Sequence, residues 1–158
     1  MDRIGDKRGW KEFPVVTEPY SEQVNIATEA DIVTARQIGR NMARQLGFGT
    51  IMQSRIATTI SELARNIYLY ADSGTIFIEQ VVRDSRVGLR ITAADTGPGI
   101  ADIRKAMEDG YSTSGGLGAG LPGVKRMMDD FFLESVPGKG TRVIVVKWRN
   151  EAGGGDPG

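Results

Sequence analysis

Four groups of residues in this chain carry side chains that could do chemistry together. The first is the run Glu62-Leu-Ala-Arg-Asn66. Placed on a helix, Glu62 and Asn66 differ by about 40° around the axis and share a face. They fall beside the apolar positions Leu63 and Ile67, at the edge of a stripe that should be buried. A carboxylate there can take a proton from an attacking hydroxyl or water. A side-chain amide oxygen is a hard ligand suited to Mg²⁺, which keeps several waters. Taken alone, a solvated glutamate beside a helix-face asparagine is the plainer reading.

The second group is Asp95-Thr-Gly-Pro-Gly99, directly after an apolar strand. A carboxylate at a strand end can accept a hydrogen bond from an exocyclic amine such as that of adenine. Glycines at 97 and 99 permit positive φ and close approach of a ligand. An ordinary Asp-x-Gly turn explains the run equally well. The third is Gly110 to Gly123, where six of fourteen residues are glycine. Ordering such a loop costs much backbone entropy. A helix start follows it and offers free N–H groups to an anion. With Ser112, Thr113 and Ser114 it makes a phosphate cradle that orders over its ligand. A flexible linker is the alternative, but linkers rarely lie between core elements. The run lacks the Gly-x-x-x-x-Gly-Lys-[Ser/Thr] of a Walker loop, and Gly116-x-Gly118-x-Gly120 lacks the preceding strand of a dinucleotide fingerprint. The fourth group, Gly138-Lys-Gly-Thr141, reads by itself as a hairpin turn, with Thr141 able to offer a hydroxyl.

These groups need elements to hold them. An extended start, Phe13 to Val16 and then Val24 and Ile26, precedes a capping box at Thr28-Glu-Ala-Asp31. Ile32, Ala35, Ile38, Met42 and Leu46 follow at helical spacing, and Gly47 and Gly49 end that helix. Thr50 to Gln53 should start a second helix in the same way, with Ile56, Ile60, Leu63, Ile67 and Tyr70 along its buried stripe. Strands are expected over Thr75–Val82 and Gly88–Ala94, turned by Asp84-Ser85. A short helix near Asp102–Glu108, a helix from Pro122 to about Asp130, and a hairpin of Phe131–Val136 with Thr141–Trp148 complete the chain. The order implies an α+β, two-layer sandwich: one mixed, mostly antiparallel sheet with helices on one face. Residues 1–12 read as an extension, 13–149 as one domain, and 150–158 as a disordered tail.

Composition narrows the chemistry. Lysine plus arginine, 20, equals aspartate plus glutamate, 20, so no basic surplus favours nucleic acid. Cysteine and histidine are both absent. That excludes disulfides, thiol nucleophiles, His–Cys zinc sites, Ser–His–Asp triads and a phosphorylated histidine. Met1 to Trp10 has no signal-peptide core, and no stretch approaches the roughly 20 apolar residues of a membrane helix. A soluble, cytoplasmic protein without membrane contact is expected.

Each group alone is weak, but their order and spacing are specific. Glu62-x-x-x-Asn66, Asp95-x-Gly97-x-Gly99, Gly116-Leu-Gly118-x-Gly120-Leu121 and Gly138-x-Gly140-Thr141 together resemble the GHKL (Bergerat-fold) ATPase superfamily, over roughly Ile26 to Trp148. The resemblance implies ATP and Mg²⁺ as ligands. Asn66 would bind Mg²⁺, Glu62 would be the catalytic base, and Asp95 would bond the adenine amine with Thr141 close by. Gly97 and Gly99 would shape the adenine pocket, and Gly116, Gly118 and Gly120 would form a lid over the phosphates. Ile100, Ser112, Thr113, Leu117, Ala119 and Leu121 would also lie against the nucleotide. Glu62-Leu-Ala-Arg-Asn-Ile-Tyr68 and Asp109 to Lys125 are similar to the anti-sigma switch serine/threonine kinases of stressosome type. That branch implies STAS-domain proteins as phosphoacceptors and a PP2C-type phosphatase as output partner. A nucleotide-gated binding module, an anti-sigma factor or phosphatase activator, is the alternative.

Overall fold

The computed structural model describes residues 2–5, 15–71, 73–100, 107 and 120–150. In chain order these form β1 (Asp2–Gly5), β2 (Val15–Ile26), α1 (Glu29–Gln45), α2 (Thr50–Tyr70), β3 (Gly74–Arg83), β4 (Arg86–Asp95), α3 (Gly120–Met127), β5 (Asp130–Val136) and β6 (Gly140–Trp148). The strands make one sheet in the order β1-β5-β6-β4-β3-β2. Every described pairing is antiparallel, so the sheet contains no parallel pair among these residues. β1 falls within the expected N-terminal extension. Phe13, the tail 151–158 and, but for Met107, the short helix expected near Asp102–Glu108 lie outside the described residues.

The two layers follow from the two periodicities. Ile32, Ala35, Met42 and Ala43 of α1, with Ile56, Ile60, Leu63 and Ile67 of α2, form buried stripes at helical spacing. They meet alternate strand residues, Ile76 and Ile78, Leu89 and Ile91, Leu133, Val143 and Val145, in one core cluster. The other sheet face is different. It carries the ion pairs Glu79–Arg90 and Glu134–Arg142, each at 3.0 Å, and a small cluster of Val81, Val146 and Trp148. The Arg83 and Arg86 guanidiniums each lie over the Trp148 ring, 5.5 and 5.4 Å from its centroid.

Local signals set most boundaries. The expected capping box at the start of α1 is formed: Thr28 Oγ1 accepts from Asp31 N at 3.3 Å, and Asp31 Oδ2 accepts from Thr28 N at 2.9 Å. α2 starts differently from expectation. Its N-cap is Gly49, which makes no side-chain cap bond, and Gln53 Nε2 instead donates to Phe48 O at 2.8 Å. The extended backbone at Gly49 begins the helix one residue before a Thr50 cap would. Asp84 and Ser85 turn the β3–β4 hairpin with φ of 50° and 66°, the pair of positive angles that a type I′ turn requires. α3 stops at Met127, short of Asp130, because Asp129 N already donates to Val146 O of β6 at 3.0 Å.

The capping box makes a direct prediction. Thr28→Ala should lower unfolding free energy by about 1 kcal/mol in urea titrations at pH 7. Bonds from Ala27 N, Thr28 N and the Thr28 hydroxyl hold the Asp31 carboxyl below its ordinary pKa of 3.8. The destabilisation by Asp31→Ala should therefore be full above that value and vanish as pH falls through the lower folded one.

Candidate functional site

α2 carries the first half of the site. Its apolar stripe presses it against the sheet, and the same packing takes Glu62 out of water: its exposure is only 2%. Asn66, one turn later, is half-buried. The solvated-glutamate alternative therefore falls. Gly120 N, at the start of α3, points at Glu62 Oε1 at 3.5 Å, a long contact that sets the end of the glycine-rich run against the carboxylate. Leu121, next in the chain, is buried in the core cluster. Ser112, Thr113, Gly116, Leu117, Gly118 and Ala119 lie outside the described residues.

The second half lies at one end of the sheet. Asp95 closes β4 opposite Thr141 of β6, and Thr141 lies opposite Ser135 of β5. Asp95 Oδ1 accepts from Gly97 N at 2.9 Å and so folds its own loop back. Of the two loop glycines only Gly99 has positive φ, at 76°; a Cβ there would also lie 2.6 Å from Val136 O. Gly97 is needed for room instead, since a Cβ would lie 2.7 Å from Ala71, just past the end of α2. The β5–β6 turn is strapped to this loop by Gly138 N donating to Pro98 O at 2.7 Å. Ile100 leaves the loop partly buried against the core.

Ser135 is the residue that spacing did not reveal. The residue is 1% exposed, and its hydroxyl accepts from Ile100 N at 2.7 Å, lies 3.0 Å from Thr141 Oγ1, and donates to Gly140 O at 3.2 Å. One side chain thus ties the Asp95 loop to both strands of the closing hairpin. A signal was present: Phe131, Leu133 and Ser135 alternate toward the core, and the last is polar. Burial pushes the Asp95 carboxyl above its ordinary value, with N–H bonds from Gly97 and Thr141 partly offsetting it. The arrangement offers an anionic acceptor and a hydroxyl at a strand end, one helix away from a buried carboxylate.

Residues 52–151 match the family described as histidine kinase-, DNA gyrase B-, and HSP90-like ATPase. The chain belongs to that ATPase family. It is 67% identical over 125 residues to the serine/threonine-protein kinase RsbT of Bacillus subtilis (strain 168), covering 79% of this chain and 94% of that one. It is 32% identical over 99 residues to an anti-sigma F factor of Caldanaerobacter subterraneus subsp. tengcongensis, covering 59% of this chain and 68% of that one. A Clostridium botulinum (strain Eklund 17B / Type B) anti-sigma F factor is 36% identical over 101 residues, covering 60% and 69%. Within the histidine kinase-, gyrase B- and HSP90-like ATPases, this chain is an enzyme of the serine/threonine protein kinase class.

The raised Asp95 carboxyl fixes a sign. Above its folded pKa both folded and unfolded chains carry the charge, and burying it weakens the fold. As pH falls toward the ordinary value of 3.8 the folded chain takes up the proton first and recovers that stability. Asp95→Asn should therefore be more stable than the parent at neutral pH, by a margin that shrinks on acidification. Urea midpoints measured from pH 4 to pH 7.5 test this; a pH-independent difference would refute it.

Proposed function

We propose that this chain transfers the γ-phosphate of ATP to a serine or threonine of a STAS-domain partner. Phosphorylation would release the kinase from a stressosome-type scaffold, and the free kinase would activate a PP2C-type phosphatase. The observation that carries the reading is the approach of Gly120 N to Glu62 Oε1, which brings the end of the glycine-rich run to a buried carboxylate. The 67% identity to a serine/threonine-protein kinase supports the serine/threonine specificity.

The residues divide the work. Asp95 accepts a hydrogen bond from the adenine amine, Thr141 lies beside it, and Gly97, Gly99 and Ile100 shape the base pocket. The run Ser112 to Leu121, with Gly116, Gly118 and Gly120, offers amides and hydroxyls to the phosphates. Glu62 takes the proton of the incoming hydroxyl, and the phosphoryl group transfers in line. Among the described residues no group of three or more carboxylates assembles a protein-only metal cage. Asn66 offers one amide oxygen, which suits a Mg²⁺ held mainly by nucleotide phosphates and water. That ion would supply charge neutralisation, with Lys105 as a further source. No described helix is long and apolar enough to cross a membrane, and the cytoplasm is the setting we assign.

Labelled ATP tests the proposal. With a STAS-domain protein, wild type should label a serine or threonine, and Glu62→Ala should slow labelling by about 10²-fold or more. Equal labelling by the two, or none by wild type on any STAS partner, would sink the reading. Asp95→Asn should weaken ATP binding on the order of tenfold, the loss of one charge-assisted hydrogen bond. The anti-sigma F relatives favour a second reading, in which nucleotide gates partner binding. It prevails if Glu62→Ala keeps partner binding and biological output intact.

A further inference from the structure

The outer surfaces of α1 and α2 enclose a cleft of about 290 Å³, and Glu62 forms part of its wall. Arg36 and Arg40 enter it from α1, one turn apart on the same face. Arg65 enters from α2, with Thr58 and Ser61 beside it. None of these three arginines pairs with a carboxylate among the described residues; Arg40 donates to the Ser54 hydroxyl at 3.3 Å. Three other described cations are paired. Arg90 and Arg142 meet glutamates and Lys147 meets Asp129. Gathering three like charges in one cleft opposes folding, so the cluster has no evident structural purpose.

Guanidinium is always charged, and its planar fork matches the oxygens of a phosphate group. Three arginines and Glu62 give +3 − 1 = +2. A phosphorylated side chain carries about −2 at neutral pH and balances that charge.

We propose that this cleft is a phosphate-binding site beside the nucleotide pocket, bordering it at Glu62, in which Arg36, Arg40 and Arg65 grip a phosphate dianion. Two sources share that chemistry, a phosphorylated serine or threonine side chain and free inorganic phosphate. The first source rests on the kinase reading above, because a phosphorylated hydroxyl is what the reaction would leave beside Glu62. The site itself does not.

Isothermal titration of the whole chain tests it, with saturating Mg·ADP to fill the nucleotide pocket. The probes are inorganic phosphate, acetyl-Gly-phosphoSer-Gly-amide, its unphosphorylated form, and acetyl-Gly-Glu-Gly-amide. At least one phosphate-bearing probe should bind, and the two lacking phosphate should bind at least about tenfold more weakly. Arg36→Ala/Arg40→Ala should weaken phosphate binding by at least about tenfold. Both side chains are exposed, so the thermal midpoint should hold and verify the fold. Binding of the phosphopeptide alone assigns the site to a partner's side chain, whereas equal binding of inorganic phosphate assigns it to free phosphate. The proposal is overturned if neither phosphate probe binds, if the double variant binds as wild type, or if the glutamate peptide binds as tightly as the phosphopeptide. Transfer of label from ATP without phosphate binding would sink the cleft and spare the kinase. Phosphate binding without transfer would do the reverse.

Discussion

The antiparallel register of β4, β6 and β5 is the constraint from which the site follows. It sets Asp95 opposite Thr141, and Thr141 opposite Ser135. The same register sets Leu89, Ile91, Val143, Val145 and Leu133 against the helices. Side chains alternate along a strand, so a slip of one residue would turn both sets to the other face. Burying each large aliphatic side chain is worth roughly 1.5–3 kcal/mol, against about 1 kcal/mol for a hydrogen bond. The core therefore decides the register, and the polar end of the sheet is carried with it.

α2 unites core and chemistry in one element. Ile56, Ile60, Leu63 and Ile67 are at most 2% exposed, so the helix has little freedom to roll. Glu62 is held at the meeting of α2 and α3, while the end of α2 closes on the Asp95 loop through Ala71 and Gly97. Glu62 and the Asp95 loop are thus held about two turns of α2 apart, the span from Glu62 to Tyr70. Ser135 then locks the far wall by bonding the loop and the hairpin together.

The inner stripe of α2 is committed to packing, but its outer stripe is not. Positions such as Ser54, Thr58 and Arg65 line the cleft beside α1. A family that keeps one nucleotide fold while serving kinases and anti-sigma factors needs such a division. The buried face holds the core, and the outer face can vary without disturbing it.

Much of this was legible beforehand. Helical and alternating periodicity gave α1, α2 and the two hairpins, and the Thr28–Asp31 box gave the start of α1. Glu62, Asn66, Asp95 and Thr141 stood out because motif order survives without coordinates. Other features were not readable. The Gly49 start of α2, the early stop of α3 and the all-antiparallel pairing depend on contacts between elements distant in the chain. The burial of Glu62 could not be told from solvation, because a position at the edge of a helical stripe is covered or exposed according to what packs beside it. Ser135 and the arginine cleft were hidden for the same reason. By itself the sequence determined the elements, their faces and the residue types able to handle a nucleotide, since local periodicity and turn chemistry act within a few residues. Only the tertiary structure decided which polar groups share a pocket, because register and helix docking are set by the collective burial of a core that no local segment encodes.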